Sequence, residues 1–264
     1  MGHPLTFSAG SMGCDYPDLI RALLERGETA PSRGGAIVNV CDFELVLHDP
    51  ARALVGRKRM SDWLALEEAT QVLAGEYSRE RLAAVSPPAA VKSHPNTAYG
   101  PRVWPQLFEV EDELKLHPDS RRAVVYVGRP DDLARTEYNG GEVPCTAYWQ
   151  FFVRGDALDM IVHMRSNDAV HGLSYDVPMF TAVQRALATS LELEPGLYRH
   201  HAGSFHIYEE HWSMLDDGEI WTREDDRFPI DPLLAWDMYG TREAARDRMS
   251  DPDSAKRWPE PSTG

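Results

Sequence analysis

Hydrophobic residues recur along the chain in two patterns, and one of them places apolar positions three or four residues apart, as in amphipathic helices. In the first such segment Leu19, Leu23 and Leu24 form a stripe that ends at Gly27, a common helix terminator. The same spacing recurs further along the chain. It predicts helices over residues 16–27, 58–75, 105–117 and 175–191.

The second pattern alternates apolar and polar residues, which is typical of half-buried strands. In one segment the alternation changes parity between Val40 and Phe43, as a β-bulge would cause. Two other segments are separated only by the turn at residues 154–156 and predict a hairpin. The predicted strands cover residues 36–48, 121–128, 145–154, 157–165 and 197–209.

The remaining segments lack periodicity and predict loops. They are a turn-rich loop at 28–35, a Pro-rich irregular stretch at 76–103, a charged loop at 129–142, and a polar tail from about 240. We expect the tail to begin as a short helix and to end disordered. Long helices and strands without a regular βαβ rhythm, and without a linker or repeat, indicate one α+β domain over residues 1–264.

Composition narrows the function. The 264 residues are 42% hydrophobic and carry 42 acidic against 27 basic side chains, a formal net charge of −15. This charge argues against nonspecific binding to nucleic acid or to an anionic membrane, although a local basic pocket for a small phosphate remains possible. The sequence has no apolar run long enough for a membrane span and no signal peptide, so we expect a cytoplasmic protein.

Three cysteines without CxxC spacing exclude a disulfide framework and give no metal motif. Cys145 follows Pro144 at the mouth of a predicted strand, where a thiol is better placed to react than in mid-strand. A cysteine there is still more often structural than nucleophilic. Arg165, at the end of the next strand, would favour the thiolate by attraction between opposite charges.

Several polar residues suit a phosphorylated ligand. Arg165 and Ser166 stand at a strand-to-helix junction, where guanidinium, hydroxyl and helix-start N–H groups can converge on an oxyanion. His206 and Tyr208 point to the same side of one strand and could bind a hydroxylated group. Each also has a structural interpretation. With the basic pair 121–122, they suggest a phosphorylated small molecule beside a possible nucleophile.

Read in order, these segments resemble the thymidylate synthase family over roughly residues 16–212, about three quarters of the chain. The motifs are PDSRR at 118–122, PC…QFFV at 144–153, RSND…G at 165–172 and G-x-x-HIY at 203–208. The resemblance implies a thymidylate synthase-like fold, with a kinked mixed β-sheet, surrounding helices and a dimer interface against the sheet. It also implies a homodimer with shared active sites.

The resemblance further implies a role for each matching residue. Cys145 would be the nucleophile, and Glu68, seven residues before Gly75, would order catalytic water. The substrate phosphate would be held by Arg33, Arg165 and Ser166, and by Arg121 and Arg122 reaching across the dimer. The remaining ligands would be His206 and Tyr208 for the sugar, Asp168 for the folate pterin, and Gly172 and Asp176 for the base.

Departures from the family pattern are equally informative. Thr146 follows the cysteine where the family has histidine, and Ser204 replaces an aspartate before HIY. The segment 76–103 lacks the family's tryptophans, and the family's C-terminal end has no recognisable counterpart. Asp176 stands where methylating synthases carry an asparagine that reads uracil. An aspartate can accept from the 4-amino group of cytosine, so it resembles the deoxycytidylate hydroxymethylase branch.

The resemblance therefore predicts folate-dependent 5-hydroxymethylation of a cytidine nucleotide, dCMP or CMP, with 5,10-methylenetetrahydrofolate as donor. Cys145 would add to C6, C5 would attack the methylene donor, and water would complete the product. That branch serves phage DNA modification and nucleoside-antibiotic pathways. The alternatives are thymidylate synthase-like methylation of dUMP or UMP, and a non-enzymatic nucleotide- or RNA-binding homologue. We expect no membrane or nucleic-acid partner.

Overall fold

The computed structural model describes residues 4–134, 136–139 and 141–229. Six helices lie in this part of the chain: α1 (Met12–Arg26), α2 (Asp62–Ala74), α3 (Arg79–Val85), α4 (Pro87–Lys92), α5 (Tyr99–Leu116) and α6 (Leu173–Ser190). The strands are β1 (Leu5–Ala9), β2 (Glu28–Ser32), β3 (Gly35–Leu47), β4 (Gly56–Arg57), β5 (Val124–Tyr126), β6 (Thr146–Arg154), β7 (Ala157–Met164), β8 (Asn167–Asp168), β9 (Glu194–Tyr208) and β10 (Ile220–Trp221). Short 3₁₀ helices cover Thr136–Asn139 and Glu209–His211.

The four predicted helices are confirmed as α1, α2, α5 and α6, although their first turns differ from the prediction. Side chains explain the boundaries. Ser11 and Ser61 accept backbone N–H groups at the starts of α1 and α2, satisfying donors that the helix leaves free. Gly75 ends α2 in the left-handed region, with φ of 69°, where a residue without Cβ is favoured.

Two predicted loops were wrong. Most of 28–35 forms β2, which pairs antiparallel with β3 and leaves only the turn around Arg33. The stretch 76–103 contains α3, α4 and the start of α5. Serine caps at Ser78 and Ser86, followed by Pro87 in the first turn, begin these short helices, a local signal that outweighs the poor apolar periodicity.

The predicted strands are confirmed, with one large difference. The strand expected at 121–128 is reduced to Val124–Tyr126, so the paired arginines precede it. The hairpin is β6 and β7, joined at Gly155, which has φ of 64°. The charged loop predicted at 129–142 lies partly outside the described residues, and the polar tail from about 240 lies wholly outside them.

Eight strands form one mixed sheet, as predicted, in the order β1-β3-β9-β7-β6-β5, with β2 added beside β3 and β8 beside β9. The β1–β3 and β7–β9 pairs are parallel, whereas β3–β9 and β6–β7 are antiparallel. Strands β4 and β10 form a separate small pair. Because β6, β7, β8 and β9 are neighbours, the ends that carry the predicted motifs meet along one side of the sheet.

The parity change predicted in β3 is confirmed, and β9 shares it. Pairing continues on both sides of Asp42 in the same register, with Cys41 opposite Ser204 and Phe43 opposite Ala202. Asp42 has φ of 62°. On both strands the buried positions change parity at this point, so the interruption is matched in the two strands rather than being an extra residue in one.

One face of the sheet is the core. Helix α1 packs against β1 and β3, and α6 packs against β7 and β9. The rings of Phe43 and Phe205 stack in this core with centroids 3.9 Å apart. None of the described helices is long and apolar enough to cross a membrane. Within the same residues, no group of three His, Cys, Asp or Glu side chains could hold a metal ion.

Candidate active site

A cavity of about 250 Å³ opens where α2, α5 and α6 meet. Its wall combines aromatic and aliphatic side chains with a few polar ones, the composition typical of a small-molecule site. The polar groups include two carboxyls predicted from the sequence, Glu68 from α2 and Asp176 from the first turn of α6. Other lining residues include Val72, Tyr77, His94, Tyr99, His171, Tyr175 and Met179.

Burial strengthens the hold of both carboxyls on their protons. Burial and the nearby charge of Asp176 raise the pKa of Glu68 to about 8. Burial also raises the pKa of Asp176 to about 7, opposed by a hydrogen bond from Asn167 and aided by Asp168. Two acidic groups in one poorly solvated cavity cannot both ionise cheaply. At neutral pH Glu68 therefore carries a proton that it can donate.

Cys145 lies immediately before β6 and is half-buried. Its carbonyl oxygen accepts from the backbone N–H of Arg165 at 2.8 Å. Burial raises the pKa of the thiol, and the positive charge of Arg165 opposes this shift. The predicted attraction by Arg165 is thus correct in sign but smaller than the cost of desolvating the thiolate. The surroundings of Cys145 within the chain thus favour the thiol, contrary to the expectation of a thiolate.

Asp168, His206 and Tyr208 come together at the junction of β8 and β9, as the motifs implied. Asp168 is the parallel-strand partner of His206, and the rings of His206 and Tyr208 lie 5.2 Å apart at right angles. The Nδ1 atom of His206 is buried without a hydrogen-bond partner in the described part of the chain. A buried polar atom of this kind is normally satisfied, so a ligand hydroxyl is a plausible chemical complement.

Arg33 is brought towards the same region by the β2–β3 turn. A Cβ placed at the neighbouring Gly34 would come within 2.8 Å of the Tyr208 ring, so this turn lies directly against Tyr208. The Arg33 guanidinium is exposed and lies 3.9 Å from the carboxylate of Glu142, three residues before Cys145. The structure therefore places an exposed cation beside the loop that leads to the thiol.

Arg121 and Arg122 are not brought to this site within one chain. The carbonyl oxygen of Arg121 accepts from Gln150, five residues along β6 from Cys145, a separation of roughly 16 Å at about 3.3 Å per residue. Arg122 is exposed and pairs with Glu113 at 2.9 Å. A role for these arginines at the site therefore depends on a second chain, and it stays a prediction.

Three contacts at the site were not predicted. The Thr146 hydroxyl donates to the Tyr99 hydroxyl at 3.0 Å, which connects the residue after Cys145 to the cavity wall. Asn167 donates from its side chain to Asp176 at 2.6 Å. Tyr99 was not predicted because the stretch 76–103 lacks apolar periodicity. Pro101, near the start of α5, was an available helix-start signal.

His171 and His211 form the third contact, with their Nε2 atoms 3.0 Å apart. His171 is exposed and also lines the cavity, so the pair lies at its mouth. Burial lowers the pKa of His171, and the positive charges nearby add to this effect while Asp168 opposes it. Nothing in the sequence indicates this pairing, because the two histidines are 40 residues apart and only the fold brings them together.

Similarity to known proteins covers part of the chain. The thymidylate synthase family model matches residues 89–234, a little over half of the chain. The chain is similar to the thymidylate synthase of Mycoplasma genitalium, with 32% identity over 110 residues, and to that of Mycoplasma mobile, with 27% identity over 112 residues. The matched range contains Cys145 and Asp176 but neither Arg33 nor Glu68.

These matches are partial on both sides. Each covers 42% of this chain, and they cover 37% and 38% of the two Mycoplasma proteins. The matched part of the chain thus spans well under half the length of these curated relatives. The range 89–234 matched by the family model includes β6, β7, β8 and α6, the elements that carry or adjoin the candidate thiol and the base-binding candidates.

Proposed function

Because the chain belongs to the thymidylate synthase family, we propose that it transfers a one-carbon unit from folate to C5 of a pyrimidine nucleotide. The family uses methylenetetrahydrofolate as its one-carbon donor. We propose further that the substrate is a cytidine monophosphate and that the product is its 5-hydroxymethyl derivative. Support comes from Glu68 and Asp176, which line one cavity, and from Thr146 after Cys145, whose hydroxyl donates to Tyr99 in the wall of that cavity.

The observation that carries the cytosine assignment is Asp176 in the cavity wall. Cytosine presents an amino donor at position 4 and an acceptor at N3, the reverse of uracil. An ionised Asp176 accepts from the amino group, and a proton on Asp176 or on N3 completes a second hydrogen bond. Its pKa of about 7 makes both protonation states accessible near neutral pH. The side-chain amide of an asparagine would instead match uracil, because its NH₂ group always donates and can pair with O4.

Cys145 would supply the nucleophile. Addition of its thiolate to C6 moves electron density to C5, which then forms the new carbon–carbon bond. The proton of C5 is lost, and the Cys145–C6 bond breaks when the ring double bond is restored. Since burial raises the pKa of the thiol, binding of substrate must be accompanied by loss of its proton. Arg165 is the positive group that favours this ionisation.

Glu68 would hold the water that provides the product hydroxyl. It lines the cavity with Asp176, and its pKa of about 8 keeps a proton on it at neutral pH. A protonated carboxyl can donate to one oxygen and accept from another, so it can orient water and exchange a proton with it. Hydroxymethylation consumes one water, and methylation does not. This group therefore has a specific use in the proposed reaction.

The cavity fits part of a folate. When bound, 5,10-methylenetetrahydrofolate supplies a one-carbon unit at the methylene level. The residues that would hold it are Asp168 and the aromatic side chains Tyr77, Tyr99 and Tyr175 of the wall. At about 250 Å³ the cavity is somewhat smaller than the roughly 300–1,000 Å³ of typical ligand pockets. It can therefore accommodate one ring system rather than a whole nucleotide–folate pair.

A homodimer completes the proposal. The sheet face opposite the core carries a row of rings, in which Tyr148 stacks on His163 at 4.3 Å and His163 on His201 at 5.0 Å. Tyr126, at the end of this row, is 62% exposed. Such a face suits a second copy of the chain. Pairing there would give Arg121 and Arg122 a route to the phosphate of the partner site.

Product analysis tests the function directly. The purified chain is incubated with 5,10-methylenetetrahydrofolate and separately with dCMP, CMP and dUMP, and the nucleotide products are identified by mass spectrometry. A gain of CH₂O on a cytidylate, with release of tetrahydrofolate, is the expected result. A gain of CH₂ on dUMP with formation of dihydrofolate would instead establish the methylase alternative, which the names of the Mycoplasma relatives favour.

A third result separates catalysis from binding alone. If the folded chain binds nucleotide but converts none of the three substrates, the non-enzymatic alternative is correct. The Cys145→Ser variant provides the matched background for this assay, because it removes the thiol and changes little else.

A further inference from the structure

Asn167 and Asp176 form a short, direct contact between two elements of the site. The Nδ2 group of Asn167, in β8, donates to Oδ2 of Asp176, in the first turn of α6, at 2.6 Å. Asn167 is only 2% exposed, so its amide is held in place by its surroundings. A hydrogen bond to an ionised carboxylate is among the stronger kinds, and it favours the charged form.

The chain leaves room for this contact at Gly172. A Cβ at that position would lie 2.8 Å from Nδ2 of Asn167 and 2.8 Å from the carbonyl oxygen of Asp168. No side chain fits there without moving the amide or the backbone. The glycine before α6 thus allows the first turn of the helix to approach Asn167. This is a structural reason for Gly172 beside the base-binding candidate.

The orientation of the amide is informative as well. Oδ1 of Asn167 is buried without a hydrogen-bond partner among the described residues, while Nδ2 is bonded to Asp176. A buried carbonyl oxygen without a partner is unfavourable. An apolar residue of similar size would avoid that cost. The amide therefore acts through its donor end, which is directed at Asp176.

The contact limits what Asp176 can offer to a ligand. With Oδ2 occupied by Asn167, Oδ1 is the oxygen left for the cavity. It accepts when Asp176 is ionised and donates when a proton sits on it. At position 4 of the base, the first state matches the amino group of cytosine, and the second matches O4 of uracil. The base that is preferred then depends on the charge state of one carboxyl.

We propose that Asn167 is a positioning residue that keeps Asp176 as a hydrogen-bond acceptor towards the base, and so sets the preference for cytosine over uracil. This inference rests on the proposed function, since it assumes that a pyrimidine binds against Asp176. It assigns to Asn167 a role in specificity that acts entirely through its neighbour.

The electrostatic surroundings explain why such a residue is needed. Five acidic groups interact electrostatically with Asp176: Glu68 of α2, Tyr99 of α5, Cys145 before β6, Asp168 of β8 and Tyr198 of β9. Two histidines, His94 and His171, line the same cavity as Asp176. Burial is the largest effect that raises the pKa of Asp176, and the charge of Asp168 raises it further. Asn167 supplies the hydrogen bond that opposes both effects.

The test combines a titration with a binding measurement. The carboxyl carbon of Asp176 is followed by ¹³C NMR from pH 5 to 9, with its signal assigned through Asp176→Asn. Binding of dCMP and dUMP is measured by calorimetry over the same range. In Asn167→Ala, the titration midpoint should rise by about one pH unit. The preference for dCMP over dUMP at neutral pH should fall about tenfold.

Two further variants separate positioning from simple loss of structure. Asn167→Ser keeps a hydroxyl donor, so its titration midpoint and its preference for dCMP should lie between those of Asn167→Ala and wild type. It replaces Asn167→Ala in the test if that variant fails to fold. Gln184→Ala removes another buried amide, which donates to carbonyl oxygens of Leu158 and Gly196 and does not line the cavity. It should destabilise the chain and leave the midpoint unchanged.

The outcomes distinguish the inference from the proposed function. An unchanged midpoint in Asn167→Ala, with cytosine preference intact, overturns the role of Asn167 and leaves the proposed function standing. A wild-type chain that prefers dUMP overturns the proposed function and the specificity role together, whatever the midpoint does. A raised midpoint with a matching loss of dCMP preference supports the inference.

Discussion

The backbone N–H of Arg165 donates to the carbonyl oxygen of Cys145 at 2.8 Å, which joins the end of β7 to the residue before β6. The Arg165 guanidinium also donates to the carbonyl oxygens of Val143 and Pro144, at 2.7 and 3.1 Å. One arginine therefore holds three consecutive carbonyl groups of the loop that carries the thiol. The position of the proposed nucleophile is set by the phosphate-binding candidate.

Replacement of Cys145 by serine should abolish turnover and leave nucleotide binding nearly unchanged. A serine hydroxyl is a far poorer nucleophile than a thiolate near neutral pH. Turnover is followed by mass spectrometry of the product, and binding by calorimetry. Cys41→Ser is the matched control, because Cys41 is exposed and lies on β3. Retention of more than a few per cent of activity in Cys145→Ser would exclude the covalent mechanism.

Arg122 should act on the site of a second chain. Mixing inactive Cys145→Ser with inactive Arg122→Ala should restore activity, since one of the two sites in a mixed dimer has neither defect. Arg122→Ala should fold normally, because the exposed pair with Glu113 contributes little to stability. Subunit exchange is verified by native mass spectrometry. Mixtures that stay inactive after proven exchange, or a monomer by light scattering, would contradict a shared site.

Asp176→Asn should move the base preference from cytosine towards uracil. The substitution places an amide beside the 4-amino group of cytosine, and a mismatched buried donor costs about 1–3 kcal/mol. This corresponds to a loss on the order of 10–100-fold in kcat/KM for the cytidylate. Full activity on uridylate is not expected, because Thr146 and Ser204 also differ from the methylase pattern. The measurement is kcat/KM for dCMP, CMP and dUMP, and an unchanged cytosine preference would remove the main support for hydroxymethylation.

Glu68 should make the fold less stable as the pH rises. Its pKa is about 8 in the folded chain against 4.5 for an ordinary glutamate, so the folded state holds an extra proton between these values. The free energy of unfolding therefore decreases from about pH 4.5 to about pH 8 and this contribution is constant above that range. Glu68 lines the cavity and is only partly buried, so solvent screening reduces the size of the effect.

The isosteric variant Glu68→Gln tests this linkage. The melting temperature of Glu68→Gln minus that of wild type should increase from pH 6 to pH 9. The reason is that the glutamine amide of the variant has no proton to lose. Thermal unfolding at several pH values measures the difference. A difference that stays constant over this range would show that Glu68 titrates normally in the folded chain.

The elements with a strong local pattern were predictable from the sequence. The stripe of α1 and the alternation of β6 and β7 follow directly from which side chains must face the core. The parity change before Phe43 was visible for the same reason. The order of the motifs around Cys145 and Asp176 indicated the family, and the family model match over 89–234 confirms it.

Tertiary structure decided the rest, because it depends on residues that are distant in sequence. Strand β2 forms only because β3 returns beside it, and no apolar alternation marks it. The raised pKa of Glu68 arises because packing of α2 against α6 buries the Glu68 carboxyl in the cavity that Asp176 also lines. The contact between Asn167 and Asp176 likewise requires β8 and α6 to meet over Gly172. Periodicity determines which face of an element is buried, whereas pairing, burial and charge at the site are properties of the assembled chain.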